Sequence, residues 1–190
     1  NEQERLDFFR FYAEYVNGRV ELLAGTGCIR YADTLALSNA VYELGYTPMV
    51  ISPYYFEMDQ EKLFVYYDRL AKDVKGDLYL YNFPPRTGHS IAPETIRRLI
   101  DANPNIIGLK DSVSTPGHTN MVCRAVDGKP FTVYSGFDDQ FLSNIANNGG
   151  GGCIGALSII VPEIWSSLVK AANEKDFDRT FALYHLIQKL

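Results

Sequence analysis

One lysine stands where it could carry out covalent chemistry. Residues 105–112 form an apolar run of strand length that ends at Lys110, after which the polar Asp111 and Ser112 turn the chain. With strict alternation Gly108 and Lys110 face the same side of the strand, and the glycine should leave room beside the lysine. An ammonium partly desolvated at the end of an apolar strand loses proton affinity, and the neutral amine can attack a carbonyl to form a Schiff base.

The same lysine has a simpler interpretation. A lysine at a strand end beside an aspartate is in most proteins a solvated or salt-bridged charge. Whether Lys110 does chemistry therefore depends on what the surrounding elements place around it.

Strands and helices are predicted to alternate along the chain. Six strands are expected, at residues 20–24, 49–52, 78–81, 106–110, 131–136 and 153–157. The last of them follows residues 147–152, two asparagines and a run of four glycines, which we interpret as a turn. Helices are expected between and around the strands, at 3–15, 33–44, 60–74, 93–102, 118–126, 140–146, 162–173 and 177–190. Strand alternating with helix predicts a parallel sheet with right-handed crossovers.

Two architectures are compatible with this alternation. A doubly wound sheet would place a glycine-rich phosphate loop after an early strand, but residues 25–27, Gly-Thr-Gly, lack the third glycine of that motif. Unusual polar residues instead follow strand after strand, where (β/α)8 barrels assemble their active sites. We therefore predict an α/β fold, a TIM (β/α)8 barrel. It is an incomplete segment with about six strands, since a closed barrel has eight and typically about 250 residues. Residues 1–190 are expected to lack the first strands and the C-terminal helical region.

Composition narrows the classes of function. The net charge of -5 and the pI near 5.2 provide no basic surface for nucleic acid or an anionic membrane. No apolar run approaches the ~20 residues of a membrane span. The widely spaced Cys28, Cys123 and Cys153 favour reduced thiols in a cytoplasm. The three scattered histidines offer no metal-ligand spacing, so neither a metal nor another cofactor is expected.

Two motifs together resemble a known enzyme family. Residues 81–88, Tyr-Asn-Phe-Pro-Pro-Arg-Thr-Gly, and Lys110 within residues 108–112, Gly-Leu-Lys-Asp-Ser, closely resemble the dihydrodipicolinate synthase / N-acetylneuraminate lyase family. Further motifs fall at the matching strand ends, at 25–27, 53–55, 135–138 and 152–155. The resemblance covers essentially the whole chain. It implies a class I aldolase that holds pyruvate as a Schiff base, typically in homotetramers built from tight dimers.

The resemblance also implies roles for single residues. Lys110 resembles the Schiff-base lysine, Tyr81 the tyrosine that shuttles protons, and Tyr55 an aromatic that reaches into the neighbouring subunit's site. Without the resemblance, Tyr81 would be interpreted as a core tyrosine and Tyr55 as an aromatic at a dimer contact. The implied substrate-binding positions are Arg86, Ser112, Gly136, Asp138 and Ile154.

The positions that would select the aldehyde disagree. Arg86 resembles the arginine with which dihydrodipicolinate synthases grip the carboxylate of aspartate semialdehyde. Asp138 looks more like the aspartate that binds sugar hydroxyls in sialic acid lyases and 2-keto-3-deoxy sugar acid aldolases. Asp139 and Ala156 stand where sialic acid lyases carry Glu and Ser. Asp138 and Asp139 are equally compatible with a charge pair at a helix N-terminus, and Arg86 with a solvated loop residue.

These inferences predict a pyruvate-dependent aldolase or lyase that acts on a 2-keto-3-deoxy sugar acid or a sialic-acid-like substrate. The alternative within the family is 4-hydroxy-tetrahydrodipicolinate synthase, and the alternative of another class is a non-catalytic binding module. The Gly-Thr-Thr or Gly-Ser-Thr motif that binds the pyruvate carboxylate in the family is absent from these 190 residues. We therefore expect this segment alone to be inactive.

Overall fold

The computed structural model describes residues 2–190, and a six-stranded parallel sheet forms its centre. The strands are β1 (Leu22–Gly25), β2 (Tyr46–Ile51), β3 (Leu78–Asn82), β4 (Ile106–Asp111), β5 (Thr132–Ser135) and β6 (Gly150–Cys153). They lie in sequence order, and each pairs in parallel with the next. This is the strand order of a (β/α)8 barrel, of which six strands form a part. The predicted incomplete barrel is confirmed.

Helices connect the strands, as parallel neighbours require. In the described part of the chain they are α1 (Glu2–Val16), α2 (Tyr31–Tyr42), α3 (Gln60–Asp73), α4 (Pro84–Thr87), α5 (Pro93–Ala102), α6 (Pro116–Ala125), α7 (Phe141–Ile145), α8 (Leu157–Ile160), α9 (Pro162–Asn173) and α10 (Phe177–Ile187), with a 3-10 helix at Asp138–Gln140. Among these residues no helix has both the length and the apolar character needed to cross a bilayer.

The main core lies between the sheet and its covering helices. Alternate residues of the central strands face the helices and are fully buried, namely Val50, Leu80, Leu109 and Val133. They pack with apolar side chains of α3, α5 and α6, among them Leu63, Tyr67, Leu70, Ile96, Leu99 and Val122. The intervening residues therefore face the opposite, concave side of the sheet. That side carries Tyr81, Lys110 and Tyr134, which are half-buried.

The sixth strand was predicted in the wrong place, at residues 153–157. The strand is formed by Gly150–Cys153, so three of the four glycines belong to the sheet, and α8 begins at Leu157, the last residue of the predicted strand. Packing explains the glycines, because a Cβ on Gly150 would lie 2.0 Å from the Asn144 carbonyl oxygen and one on Gly151 would lie 2.4 Å from Thr132 Cγ2. At Gly150 and Gly151, close approach to neighbouring elements rather than a turn requires residues without side chains.

The other predicted elements agree with the structure to within about three residues. Pro93 opens α5, where the missing N–H of proline costs nothing. Gly45 separates α2 from β2 with a φ of 83°, a left-handed conformation that glycine adopts without strain. The short helix α4, inside the predicted tyrosine motif, was not predicted.

Candidate active site

Lys110 lies at the C-terminal end of β4, the end at which barrels of this type assemble their active sites. In the sheet it pairs with Tyr81 of β3 on one side and with Tyr134 of β5 on the other. Its Nζ lies 4.7 Å from the centre of the Tyr81 ring, within the range of a cation–π contact. The predicted Schiff-base lysine and the predicted proton-transfer tyrosine are therefore neighbours on the concave face.

The aspartate beside this lysine does not neutralise it. Asp111 faces the opposite side of the sheet and is completely buried there, where its Oδ2 lies 2.9 Å from His118 Nδ1. Among residues 2–190 no carboxylate lies within 4.0 Å of Lys110 Nζ. A salt bridge to Asp111, the simpler interpretation of the sequence, is excluded by this geometry.

The space above Gly108 is filled rather than empty. A Cβ on Gly108 would lie 2.1 Å from Tyr79 Cε1, so the ring of Tyr79 occupies the room that the sequence suggested was left for the lysine. The Tyr79 and Tyr134 ring centres are 6.2 Å apart. Burial, with a smaller contribution from Tyr134, raises the pKa of Tyr79 to about 12. The Tyr79 and Tyr134 rings therefore lie close together on the concave face, and Tyr134 is in the same row of the sheet as Lys110.

Three of the predicted substrate-binding positions meet at the ends of β4, β5 and β6. A Cβ on Gly136 would lie 1.8 Å from Ser112 Oγ, so only glycine allows this approach. The Gly136 amide donates to the Asp111 carbonyl at 2.9 Å and the Ile154 amide donates to the Ser135 carbonyl at 2.9 Å. Both amides are thus occupied by the sheet, and these residues can shape a pocket but do not present free backbone donors to it.

Cys153 belongs to the same end of the sheet, although it was not among the site residues predicted from the sequence. Burial first, and then the nearby Asp138 charge, raise the pKa of Cys153 to about 12, while Lys110 acts in the opposite direction. The thiol is therefore neutral, and Cys153 contributes an uncharged surface. Its place at the end of β6 was the signal that could have identified it.

Asp138 is held by backbone donors. Its Oδ2 accepts a hydrogen bond from the Ala156 amide at 3.0 Å and its Oδ1 accepts one from the Leu157 amide at 3.3 Å. These amides open α8, so the carboxylate caps a helix other than the one that follows it in sequence. Asp138 and Asp139 also lie in the first turn of the 3-10 helix, as the predicted charge pair requires. Asp138 therefore stands at the start of one helix and caps another.

This contact predicts a stability effect. Replacing Asp138 with alanine should lower the free energy of unfolding by about 1 kcal/mol, because two backbone donors lose their acceptor. Asp139→Ala is the matched control and should change it by less than about 0.5 kcal/mol. Urea unfolding of both variants measures the difference, and equal effects would show that the Asp138 contact contributes nothing of its own.

Arg86 and Tyr55 lie further out. Arg86 is exposed on α4, with its guanidinium carbon 5.8 Å from the Phe83 ring centre, and Phe83 stacks on Tyr81 at 5.7 Å. Tyr55 is 86% exposed and has a φ of 87°, which is strained for a bulky residue. The structure thus connects Arg86 to the site through one aromatic ring, whereas Tyr55 packs against little in its own chain beyond Phe56.

A buried polar network lies directly behind Lys110, on the helix side of the sheet. The Asp111 carboxylate accepts hydrogen bonds from Asn82 Nδ2 at 2.8 Å and from Thr119 Oγ1 at 2.7 Å, in addition to its contact with His118. Burial lowers the pKa of His118, but the hydrogen bond and the charge of Asp111 outweigh burial, so the pKa is raised overall. This network was not predicted from the sequence.

Fold and site together define the class of protein: a partial (β/α)8 barrel that places a lysine and a tyrosine side by side at the C-terminal end of its strands. The chain belongs to the dihydrodipicolinate synthetase family, whose model matches residues 1–190. The family predicted from the tyrosine and lysine motifs is therefore confirmed.

Relatives with two kinds of named reaction are equally similar to the chain. YagE of Escherichia coli (strain K12), whose name assigns it provisionally as a 2-dehydro-3-deoxy-D-gluconate aldolase, is 34% identical over 186 residues, which cover 96% of this chain and 61% of YagE. The 4-hydroxy-tetrahydrodipicolinate synthase of Kosmotoga olearia is 34% identical over 180 residues, which cover 93% of this chain and 60% of that enzyme. Family membership alone therefore does not select the reaction.

The solved structures agree with the fold. The crystal structure of YagE in complex with pyruvate superposes with a TM-score of 0.93 at 31% identity, covering 99% of this chain and 64% of YagE. The dihydrodipicolinate synthase of Aquifex aeolicus gives a TM-score of 0.92 at 26% identity, covering 100% and 64%. The chain thus spans somewhat less than two thirds of the length of the relatives that it matches.

Proposed function

We propose that this chain forms the Schiff-base region of a class I aldolase, which makes or breaks a carbon–carbon bond between pyruvate and an aldehyde. The observation that carries the proposal is the position of Lys110. Its amine lies 4.7 Å from the Tyr81 ring centre at the C-terminal end of the sheet, and no carboxylate pairs with it among residues 2–190. An amine with no carboxylate partner, beside an aromatic ring, suits attack on a carbonyl.

The proposed reaction follows from imine chemistry. The Lys110 amine adds to the C2 carbonyl of the keto acid and water leaves, giving a protonated imine. In the cleavage direction this imine accepts the electron pair of the bond between C3 and C4, while the C4 hydroxyl loses its proton and the aldehyde departs. The resulting enamine takes a proton at C3, and water then releases pyruvate and restores the amine. Tyr81, the nearest proton-bearing neighbour on β3, is proposed to carry protons to and from the substrate oxygen.

The pyruvate carboxylate needs hydrogen-bond donors, and three backbone amides of the predicted pocket are already engaged in the sheet. The amides of Gly136 and Ile154 are occupied, and the Ser112 amide donates to the Asn82 carbonyl at 2.8 Å. Of the predicted pocket residues, Ser112 keeps a hydroxyl that can bind an oxyanion. We propose that further strands of the barrel complete the carboxylate site, and that residues 1–190 alone are inactive.

For the aldehyde, we propose a product of 2-keto-3-deoxy sugar acid cleavage. The Asp138 carboxylate is fixed by two amides and retains lone pairs that can accept hydrogen bonds from a polyol. The similarity to YagE supports the same class. The second candidate, 4-hydroxy-tetrahydrodipicolinate synthase, is favoured by Arg86, whose planar fork suits a carboxylate-bearing aldehyde.

A homo-oligomer, a dimer of dimers, belongs to this proposal. Tyr54, Tyr55 and Phe56 expose 38%, 86% and 61% of their surface, respectively, at one loop after β2. Tyr55, with its strained backbone, is proposed to contact a second copy of the chain and to join its proton relay. A binding module without catalysis would share the fold but would not release pyruvate from any sugar acid.

Arg86 separates the two candidate reactions. In the full-length protein, Arg86→Ala should leave cleavage of 2-keto-3-deoxygluconate within about threefold, since an exposed guanidinium contributes little when the substrate carries no carboxylate at that end. If the protein is a synthase, its kcat/KM with aspartate semialdehyde should fall roughly 10- to 150-fold, the equivalent of a lost charged hydrogen bond.

The assay is pyruvate release, coupled to NADH oxidation by lactate dehydrogenase, together with condensation of pyruvate and aspartate semialdehyde. Arg98→Ala is the matched control, because the Arg98 guanidinium carbon also lies over an aromatic ring, 4.3 Å from the centre of Phe64. Turnover of aspartate semialdehyde but of no sugar acid would contradict the proposed substrate class.

A further inference from the structure

We propose that Asn82 and Asp111 are positioning residues, whose hydrogen bond behind the sheet sets the distance between Tyr81 and Lys110 in front of it. This inference rests on the proposed function. Neither residue faces the pocket, so each would act on the reaction only through the side chain next to it in sequence.

The sheet register brings the two pairs into line. Tyr81 pairs with Lys110 and Asn82 pairs with Asp111, in consecutive rungs of the ladder between β3 and β4. Because side chains alternate, the first pair faces the concave side and the second pair faces the helices. Asn82 and Asp111 are also the last residues of their strands. Their side-chain hydrogen bond of 2.8 Å therefore ties the strand ends where the regular ladder stops.

Asn82 and Asp111 also form hydrogen bonds with other elements on the helix side of the sheet. Asn82 is 1% exposed, and its Oδ1 accepts a hydrogen bond from the Ile91 amide at 3.0 Å. Asp111 is 0% exposed and is bound by Thr119 and His118 of α6. A buried carboxylate that loses a donor is strongly destabilised where it stands, so the strand ends would move to find another.

Such movement of the strand ends should change the arrangement of Tyr81 and Lys110 on the concave face. Reacting groups must be held in a near-attack arrangement, and a misplacement of about 1 Å can cost roughly 100-fold in rate. Rotation or separation of the ends of β3 and β4 would change the relation of the Tyr81 hydroxyl to the imine on Lys110. The effect should therefore appear in the catalytic step more than in pyruvate binding.

The other end of the same sheet offers a matched control. Asn103, which is 3% exposed and lies just before β4, donates from Nδ2 to Asp68 Oδ1 at 3.1 Å. This is again a buried asparagine donating to an aspartate, but it is remote from the C-terminal end of the strands. If the hydrogen bond between Asn82 and Asp111 only stabilises the fold, replacing Asn82 or Asn103 with aspartate should have equivalent effects on the rate of the reaction.

The test compares Asn82→Asp with Asn103→Asp in the full-length protein. The readout is the exchange of pyruvate methyl protons with D2O, followed by NMR, which requires the imine and a proton-transfer group but no knowledge of the aldehyde. In Asn82→Asp two carboxylates meet, and one takes up a proton as the pH falls, after which its hydroxyl can donate to the other. His118 and Cys123 of α6 are the titratable groups that face this pair, and Glu94 acts on His118.

We expect kcat for exchange in Asn82→Asp to be about tenfold or more below wild type at pH 8, with KM for pyruvate changed less than about threefold. The ratio of the kcat of Asn82→Asp to the kcat of wild type should rise as the pH falls towards 6. Asn103→Asp should keep a ratio near one at every pH. A ratio for Asn82→Asp that stays near one, or one that is low but independent of pH, would overturn the inference.

A second variant covers the case in which Asn82→Asp does not fold. Asp111→Asn keeps an oxygen that can accept from Asn82, so its kcat should stay within about threefold of wild type, whereas Asp111→Ala should lose about tenfold or more. Equal losses in both would overturn the inference. Wild-type protein is also treated with pyruvate and borohydride. No adduct on Lys110 would overturn the proposed function and this inference with it, whereas an adduct beside a fully active Asn82→Asp would overturn this inference alone.

Discussion

Replacing Lys110 with alanine in the full-length protein should abolish exchange of pyruvate methyl protons, with a loss of roughly 10⁴-fold or more. The reason is that no other group described at this end of the sheet can take over its chemistry. The thiol of Cys153 is neutral because its pKa is raised to about 12, and the tyrosines beside Lys110 cannot form an imine. NMR of pyruvate in D2O, with and without protein, measures the loss against the uncatalysed background.

Lys129→Ala is the matched control for this experiment. Lys129 lies just before β5, and its Nζ pairs with Asp101 at 2.7 Å on the protein surface. Its removal should leave exchange within about twofold, since surface ion pairs contribute little. Retention of more than a tenth of the wild-type rate in Lys110→Ala would contradict the assignment of the nucleophile.

The second large effect is expected at Tyr81. Tyr81→Phe keeps the ring under the Lys110 amine, at 4.7 Å in the wild-type structure, and removes only the hydroxyl. Exchange should therefore fall roughly 10²- to 10⁴-fold, the contribution of a positioned proton-transfer group, while pyruvate should still form an imine with Lys110. This separation between slow proton transfer and intact imine formation distinguishes a catalytic tyrosine from a core tyrosine.

Tyr79→Phe provides the comparison on the same strand. Tyr79 faces the same side as Tyr81 but is 8% exposed and packs over Gly108. Its hydroxyl has no part in the proposed reaction, so the variant should keep exchange within about threefold. If the two phenylalanine variants lose activity to the same extent, the loss at Tyr81 is a general effect of removing a hydroxyl from this face of the sheet and not a loss of proton transfer.

The alternation of strands and helices was predictable because most of the strands contain a short apolar run that can be recognised without knowledge of its partners. β4 is the clearest case, since residues 106–110 are apolar up to the lysine and the structure has the strand at Ile106–Asp111. The place of Lys110 at the C-terminal end of the sheet follows from that pattern and from the strand order. β6 was misplaced because glycine has a low strand propensity, and its pairing depends on the close approach of β5 and α7.

The network behind the lysine shows a different limit of prediction. A period of two already places Asp111 opposite Lys110, so its direction was available from the sequence. Its partners were not, because the contact with His118 depends on how α6 packs against the sheet. The prediction that Gly108 leaves room beside Lys110 was wrong for the same reason, because the Tyr79 ring of the neighbouring strand fills that space.

The most direct test of the proposed chemistry is the intact mass of the full-length protein after incubation with pyruvate and sodium borohydride, followed by mapping of the modified peptide. Imine formation on Lys110 predicts a mass increase of one reduced pyruvate per chain, located on the peptide that contains residues 106–111, and none in Lys110→Ala. Folded wild-type protein without an adduct, or an adduct on another lysine, would contradict the account and would favour a binding module on the same barrel.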